Sequence, residues 1–102
     1  MALKHSWHYS AKADFDDTLM FIFLKFGENS AKKVFTKVLE RIKMLCVFPE
    51  AGLRYKDVSY HGNEVRIFHM RKSSIVYCHD NSTLYILAFW NNRGIENTIP
   101  IF

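Results

Sequence analysis

Residues 65–90 read VRIFHMRKSSIVYCHDNSTLYILAFW, and the fold turns on this stretch. It divides into three short runs, Val65 to Met70, Ser74 to His79 and Leu84 to Trp90. Each is dense in β-branched and aromatic residues, which suit a pleated, half-buried surface. Arg71-Lys72 separates the first pair of runs. Asp80-Asn81-Ser82 separates the second, with side chains that accept turn geometry. Connections this short join antiparallel neighbours, so a meander of three strands is predicted. The runs are apolar on both sides: in the last, Leu84, Ile86, Ala88 and Trp90 alternate with Tyr85, Leu87 and Phe89.

Upstream the period changes. Phe15, Leu19, Ile22, Phe23 and Phe26 fall at helical spacing and predict one buried helix face. Ser10 is placed to cap that helix, Asp14, Asp16 and Asp17 sit near its positive end, and Gly27 ends it. Met20, Phe21 and Leu24 are apolar beyond the main stripe. A second helix, capped by Ser30, carries Val34, Phe35, Val38, Leu39, Ile42, Leu45 and Cys46 on one face. Lys33, Lys37 and Arg41 lie opposite, as a solvated face. Pro49 halts this helix and Gly52 closes the turn after it. The short link Glu28-Asn29 folds the two helices back as an antiparallel hairpin. Before them, His5 to Ser10 alternates and reads as a first strand. The prediction is therefore α+β: an N-terminal strand, a helical hairpin, then the three-stranded meander, with the helices on one sheet face. Nothing remains to cover the other face. It is expected to be open, aromatic and apolar, with Arg66 on it, as a partner site.

The chain has 102 residues, the length of a single domain covering 1–102. Apolar residues make up 49% and charged residues 24%, which excludes a mainly disordered chain. The net charge of +4 is divided evenly between the halves and fits, without requiring, a nucleic-acid or acidic partner. The longest apolar run, Leu19 to Leu24, falls far short of a membrane span, and the first residues hold no secretory signal. A cytoplasmic protein with Cys46 and Cys78 as reduced, buried thiols is expected. No histidine pair has metal-ligand spacing, so neither metal nor other cofactor is predicted.

Tyr9-Ser10-x-x-Ala13-x-x-Asp16, Lys25-Phe26-Gly27, Phe48-Pro49-Glu50-x-Gly52, Val65-Arg66-Ile67, Ile75-Val76-Tyr77 and Trp90-Asn91-Asn92-Arg93 occur in that order. In order and spacing they resemble the RelE/ParE toxin superfamily, most closely its ParE-like, plasmid-stabilisation branch. The resemblance covers about residues 7–97. Asp17 departs from it, standing where the family usually has an apolar residue; Arg71-Lys72 departs too, replacing a more typical glycine- or asparagine-rich turn. The resemblance implies a growth-inhibiting toxin of a type II toxin–antitoxin pair, held silent by an antitoxin whose carboxy-terminal segment wraps it. DNA contact is implied only through the complex with that antitoxin. ParE-like members bind and poison DNA gyrase. RelE-like members cleave messenger RNA on the ribosome. An inactive toxin fold that only binds a partner is the third reading.

The residues assigned to antitoxin or target contact are Arg66, Phe68, Tyr77, Trp90 and Arg93. RNA cleavage would fall to Arg66, Arg93 and His61, because it needs a base, an acid and cations for the phosphorane. Past Arg93 the sequence reads GIENTIPIF, with Glu96 its one titratable side chain. That thin supply of cations and proton carriers favours gyrase binding over catalysis.

Overall fold

The computed structural model of the chain describes residues 2–91. The meander forms where the sequence places it, as β3 (Asn63–His69), β4 (Ser73–His79) and β5 (Thr83–Asn91). The β3–β4 turn is closed by the Met70 N–H on the Ser73 carbonyl at 2.8 Å. At the β4–β5 turn, Asp80 Oδ1 accepts from the Ser82 and Thr83 N–H groups, each at 2.8 Å. Ahead of the meander come β1 (Lys4–Trp7), α1 (Tyr9–Phe26), α2 (Glu28–Val47) and β2 (Leu53–Tyr60). The sheet order is β1-β5-β4-β3-β2. β1 runs parallel to β5 and every other pair is antiparallel.

β2 is the strand that the sequence reading does not mark. It pairs with β3 only at its ends, Leu53 with Ile67 and Arg54 with Arg66, then Ser59 with Glu64 and Tyr60 with Asn63. Tyr55 to Val58 thus bulge opposite Val65, and Lys56 takes a left-handed φ of 49°. A run interrupted in this way shows no period of two. His61 and Gly62 join β2 to β3 with φ of 49° and 81°, the two positive values of a hairpin turn that matches strand twist.

The helix starts differ from the predicted caps. His8 caps α1: its Nδ1 accepts the Ser10 N–H at 3.2 Å and lies 2.8 Å from Ser10 Oγ. The link between the helices shrinks to Gly27, at φ 97°. Ser30 lies inside α2, its hydroxyl donating to the Phe26 carbonyl at 3.4 Å.

Ala11, Phe15, Val38, Ile42, Leu45 and Cys46 of the helices pack on Ile75, Tyr77, Leu84, Ile86 and Phe89. The simple alternation expected in β5 is interrupted. Val76 pairs with Ala88 and Tyr77 with Ile86, so Leu87 is an extra residue. This bulge turns Phe89 toward the helices and leaves Leu87, Ala88 and Trp90 on the opposite side.

That opposite side is not the bare surface that the sequence suggests. Val65, Val76 and Cys78 are fully buried there, and Trp90 is 8% exposed. Tyr55, Val58, Tyr60 and Tyr85 pack against them. The bulged edge strand brings the Tyr55 ring to 5.6 Å from Trp90, edge to face. The second face is therefore a second small core.

Candidate protein-docking surface

Among the described residues, a large apolar surface remains open on the helical hairpin. α1 has 18 residues, and at about 1.5 Å per residue it is about 27 Å long. Its first half is anchored: Phe15 stacks on Trp7 at 5.1 Å and meets Phe89 edge-on at 5.1 Å. Beyond Leu19 the helix is apolar on nearly every side, and only part of it finds the core. Phe23 and Phe26, expected on the buried face, are 48% and 63% exposed. Leu24 is 75% exposed, and Met20, Phe21 and Phe35 are also open. A helix apolar all round is stable in water only when something covers it.

Beside this surface runs a groove of about 820 Å³ between the hairpin and the ends of β4 and β5. Phe21, Ile22, Phe26, Val34 and Phe89 give it apolar walls. A smaller hollow of about 160 Å³ continues past Val34 and Val38 to the β3–β4 turn, bounded by Lys37, Arg71 and Lys72. Lys25 stands over the Phe21 and Phe26 rings at 5.4 and 5.7 Å.

The residues marked for function in the sequence are not gathered at this surface. Arg66 and Tyr77 are register partners on β3 and β4, and Phe68 shares their side of the sheet. That side faces the helices, so Arg66 is not on the opposite face where it was expected. Tyr77 is fully buried. Its hydroxyl accepts the Gly52 N–H at 2.9 Å and donates to the Pro49 carbonyl at 2.7 Å. Burial pushes its pKa up, against the opposing effects of the Gly52 hydrogen bond and the Arg66 charge. The Arg66 guanidinium donates to the Gly52 carbonyl at 2.8 Å and to Glu64 at 2.9 Å. Glu64 in turn holds Arg54 at 2.7 Å. Together Arg66 and Tyr77 fasten the turn after α2 onto the sheet.

Trp90 lies on the other side, and its indole Nε1 is buried without a hydrogen-bond partner among the described residues. His61 is exposed on the β2–β3 turn, its ring edge-on to Tyr60 at 4.3 Å. Arg93 lies outside the described residues. Cys46 and Cys78 are free thiols in different cores. Among the described residues, no three of His, Cys, Asp and Glu gather as a metal site would need. Nor is any helix there long and apolar enough to cross a membrane.

Two helices on one face of this five-stranded sheet make a fold that also occurs among solved structures. One, described as the chromosomal ParDE TA system from P. aeruginosa, superposes with a TM-score of 0.65 at 19% identity, covering 88% of this chain and 96% of that one. That likeness establishes the fold. No curated protein matches the sequence. The family model described as the ParE toxin of the type II toxin–antitoxin system, parDE, matches residues 6–95. The chain belongs to the ParE toxin family, and so is a type II toxin.

Proposed function

We propose that this toxin arrests growth by binding DNA gyrase, and that a cognate antitoxin silences it by covering the helical hairpin. One observation carries the reading: among the described residues a large apolar surface is open on α1, around Met20, Phe23 and Leu24, beside a groove walled by side chains of both helices and the sheet. Such a surface suits recognition of another protein. Gyrase as the target comes from membership of the ParE family.

The ribonuclease alternative gains less support. Cleavage would require Arg66 to meet a phosphate, yet its guanidinium is engaged by Glu64 and by the Gly52 carbonyl. Tyr77 has no exposed surface from which to exchange a proton with substrate.

The test is a parallel assay of purified toxin on gyrase supercoiling and on messenger RNA during translation in vitro. Supercoiling is expected to fail while the message stays intact. Full supercoiling at a large molar excess of toxin refutes the gyrase reading. Co-expression of the small protein encoded next to the toxin gene tests the antitoxin: growth is expected to recover, with a stable complex of the two chains.

A further inference from the structure

α2 turns Val38, Ile42, Leu45 and Cys46 into the core. Away from the core, Lys33, Lys37 and Arg41 follow one another at four-residue intervals, and all three are exposed. At about 1.5 Å per residue they extend over about 12 Å of helix. Lys37 also borders the small hollow shared with the exposed Arg71 and Lys72 of the β3–β4 turn. The strip thus joins five cations from two parts of the fold, which more than account for the net charge of +4. None of the five has a carboxylate partner among the described residues. Glu40 beside Arg41 in the chain, and Asp17, which lines the larger groove with Lys72, make no ion pair with them. Lys4, Lys25 and Lys43 are unpaired as well, so the strip is set apart by its alignment. Lys43 lies about 120° round α2 from Lys37, Lys4 is on the edge strand β1, and Lys25 stands over the Phe21 and Phe26 rings.

We propose that Lys33, Lys37 and Arg41 of α2, together with Arg71 and Lys72 of the β3–β4 turn, form a phosphate-contact strip that lays the toxin against duplex DNA without reading its sequence. The strip goes beyond the gyrase and antitoxin readings and needs neither. A row of cations complements a partner with regularly spaced negative charge. Duplex DNA carries one phosphate per about 3.4 Å of each strand, so the α2 row spans about three to four phosphates. A protein partner needs an apolar centre between the charges. The large exposed apolar side chains of α2, Phe35 and Val47, lie outside the row: Phe35 stacks on Phe15 of α1 at 6.1 Å, and Val47 ends the helix. A row without aromatic rings also suits a duplex better than a single strand, whose bases stack on aromatic side chains. Contacts of this kind position a protein on the backbone and carry no sequence information.

The experiment is fluorescence anisotropy with the full toxin and labelled DNA duplexes of about 20 base pairs in two unrelated sequences. Both duplexes are expected to bind alike. The logarithm of the binding constant is expected to fall linearly with log salt from about 0.05 to 0.2 M, with a slope of about −2.7 to −4.5 for phosphate contacts by three to five cations. Lys37→Ala with Arg71→Ala is expected to weaken binding at low salt at least about tenfold and to make the slope about 2 shallower. Lys4→Ala with Lys43→Ala removes the same net charge off the strip and is expected to change affinity by less than about threefold. All four side chains are exposed, and thermal melts matching the parent verify folding. Equal losses in the two pairs reduce the effect to net charge and overturn the strip. No binding at about 0.05 M salt, tighter binding of a single strand, or displacement of the duplex by an equal charge of polyglutamate overturns it too. Gyrase and antitoxin are absent from the mixture, so failure here leaves both of those readings standing, and failure of the supercoiling assay leaves the strip standing.

Discussion

Gly52→Ala sets two physical effects against each other. Where an alanine fits, replacing glycine stabilises a protein by about 0.4–1 kcal/mol, because the unfolded chain has less freedom to lose. Here it does not fit. A Cβ at position 52 would lie 2.6 Å from Tyr77 Oη, 2.8 Å from Tyr77 Cε1 and 2.9 Å from the Ile67 carbonyl oxygen. The tyrosine ring is fully buried and its hydroxyl is held by both Gly52 and Pro49, so a shift disturbs packed neighbours. Overpacking of this kind costs about 1–3 kcal/mol. Displacing the hydroxyl also strains its bonds to Gly52 and Pro49, and a buried group left unpaired costs about 1–3 kcal/mol. The clash wins, and a net loss of about 2–4 kcal/mol is expected.

Tyr77→Phe leaves the ring in place and removes the hydroxyl, so about 1–3 kcal/mol is expected from the orphaned Gly52 N–H and Pro49 carbonyl. The two changes share an atom and must couple. In the double variant the contact at 2.6 Å disappears while those to Cε1 and Ile67 remain. Its loss should fall short of the sum of the singles by at least about 1 kcal/mol. Urea unfolding followed by tryptophan fluorescence, with an unchanged m-value, measures all three. A Gly52→Ala protein as stable as its parent, or additivity within about 0.3 kcal/mol, would refute the proposed lock.

Three further outcomes are expected. Burial on the second sheet face raises Cys78 from 9.0 to about 11, with the Asp80 charge adding to the effect. A raised folded pKa means that stability is intact below the unfolded value and falls as pH climbs from 9.0 to about 11. That fall should amount to about 2–3 kcal/mol, and urea titrations of Cys78→Ala should lack most of it. At the acid end, the Ser82 and Thr83 N–H groups hold the Asp80 carboxyl at about 2, below its ordinary 3.8. Its contribution is present above pH 3.8 and lost as pH falls through about 2, so Asp80→Asn should flatten that limb of the acid melt. On the hairpin, Met20→Glu with Leu24→Glu should change stability by no more than about 0.5 kcal/mol per site. The same pair should prevent neutralisation by the co-expressed antitoxin; full rescue of growth would place the antitoxin elsewhere.

How much of this was legible in the sequence depended on how local each cause is. The meander turns show, because Asp80 bonds to Ser82 and Thr83 within its own loop. The hairpin shows, because the helical period is written along one segment. β2 does not, since its pairing breaks for four residues and the break itself carries Tyr55 toward Trp90. Likewise the extra residue Leu87 reverses the faces of β5 halfway along, a shift that no count of alternating residues contains. Arg66 and Tyr77 stood out as residues needing a reason, but the reason lies at Gly52, 25 positions before Tyr77. The useful signal for the docking surface was in plain view: Met20, Phe21 and Leu24 lie off the core stripe of α1, and all three are exposed. A surplus of apolar residues on one helix therefore marked the open apolar surface of α1 better than a missing third helix did. The missing helix only says that a sheet face needs cover, and a bulged edge strand can supply that cover from within the chain.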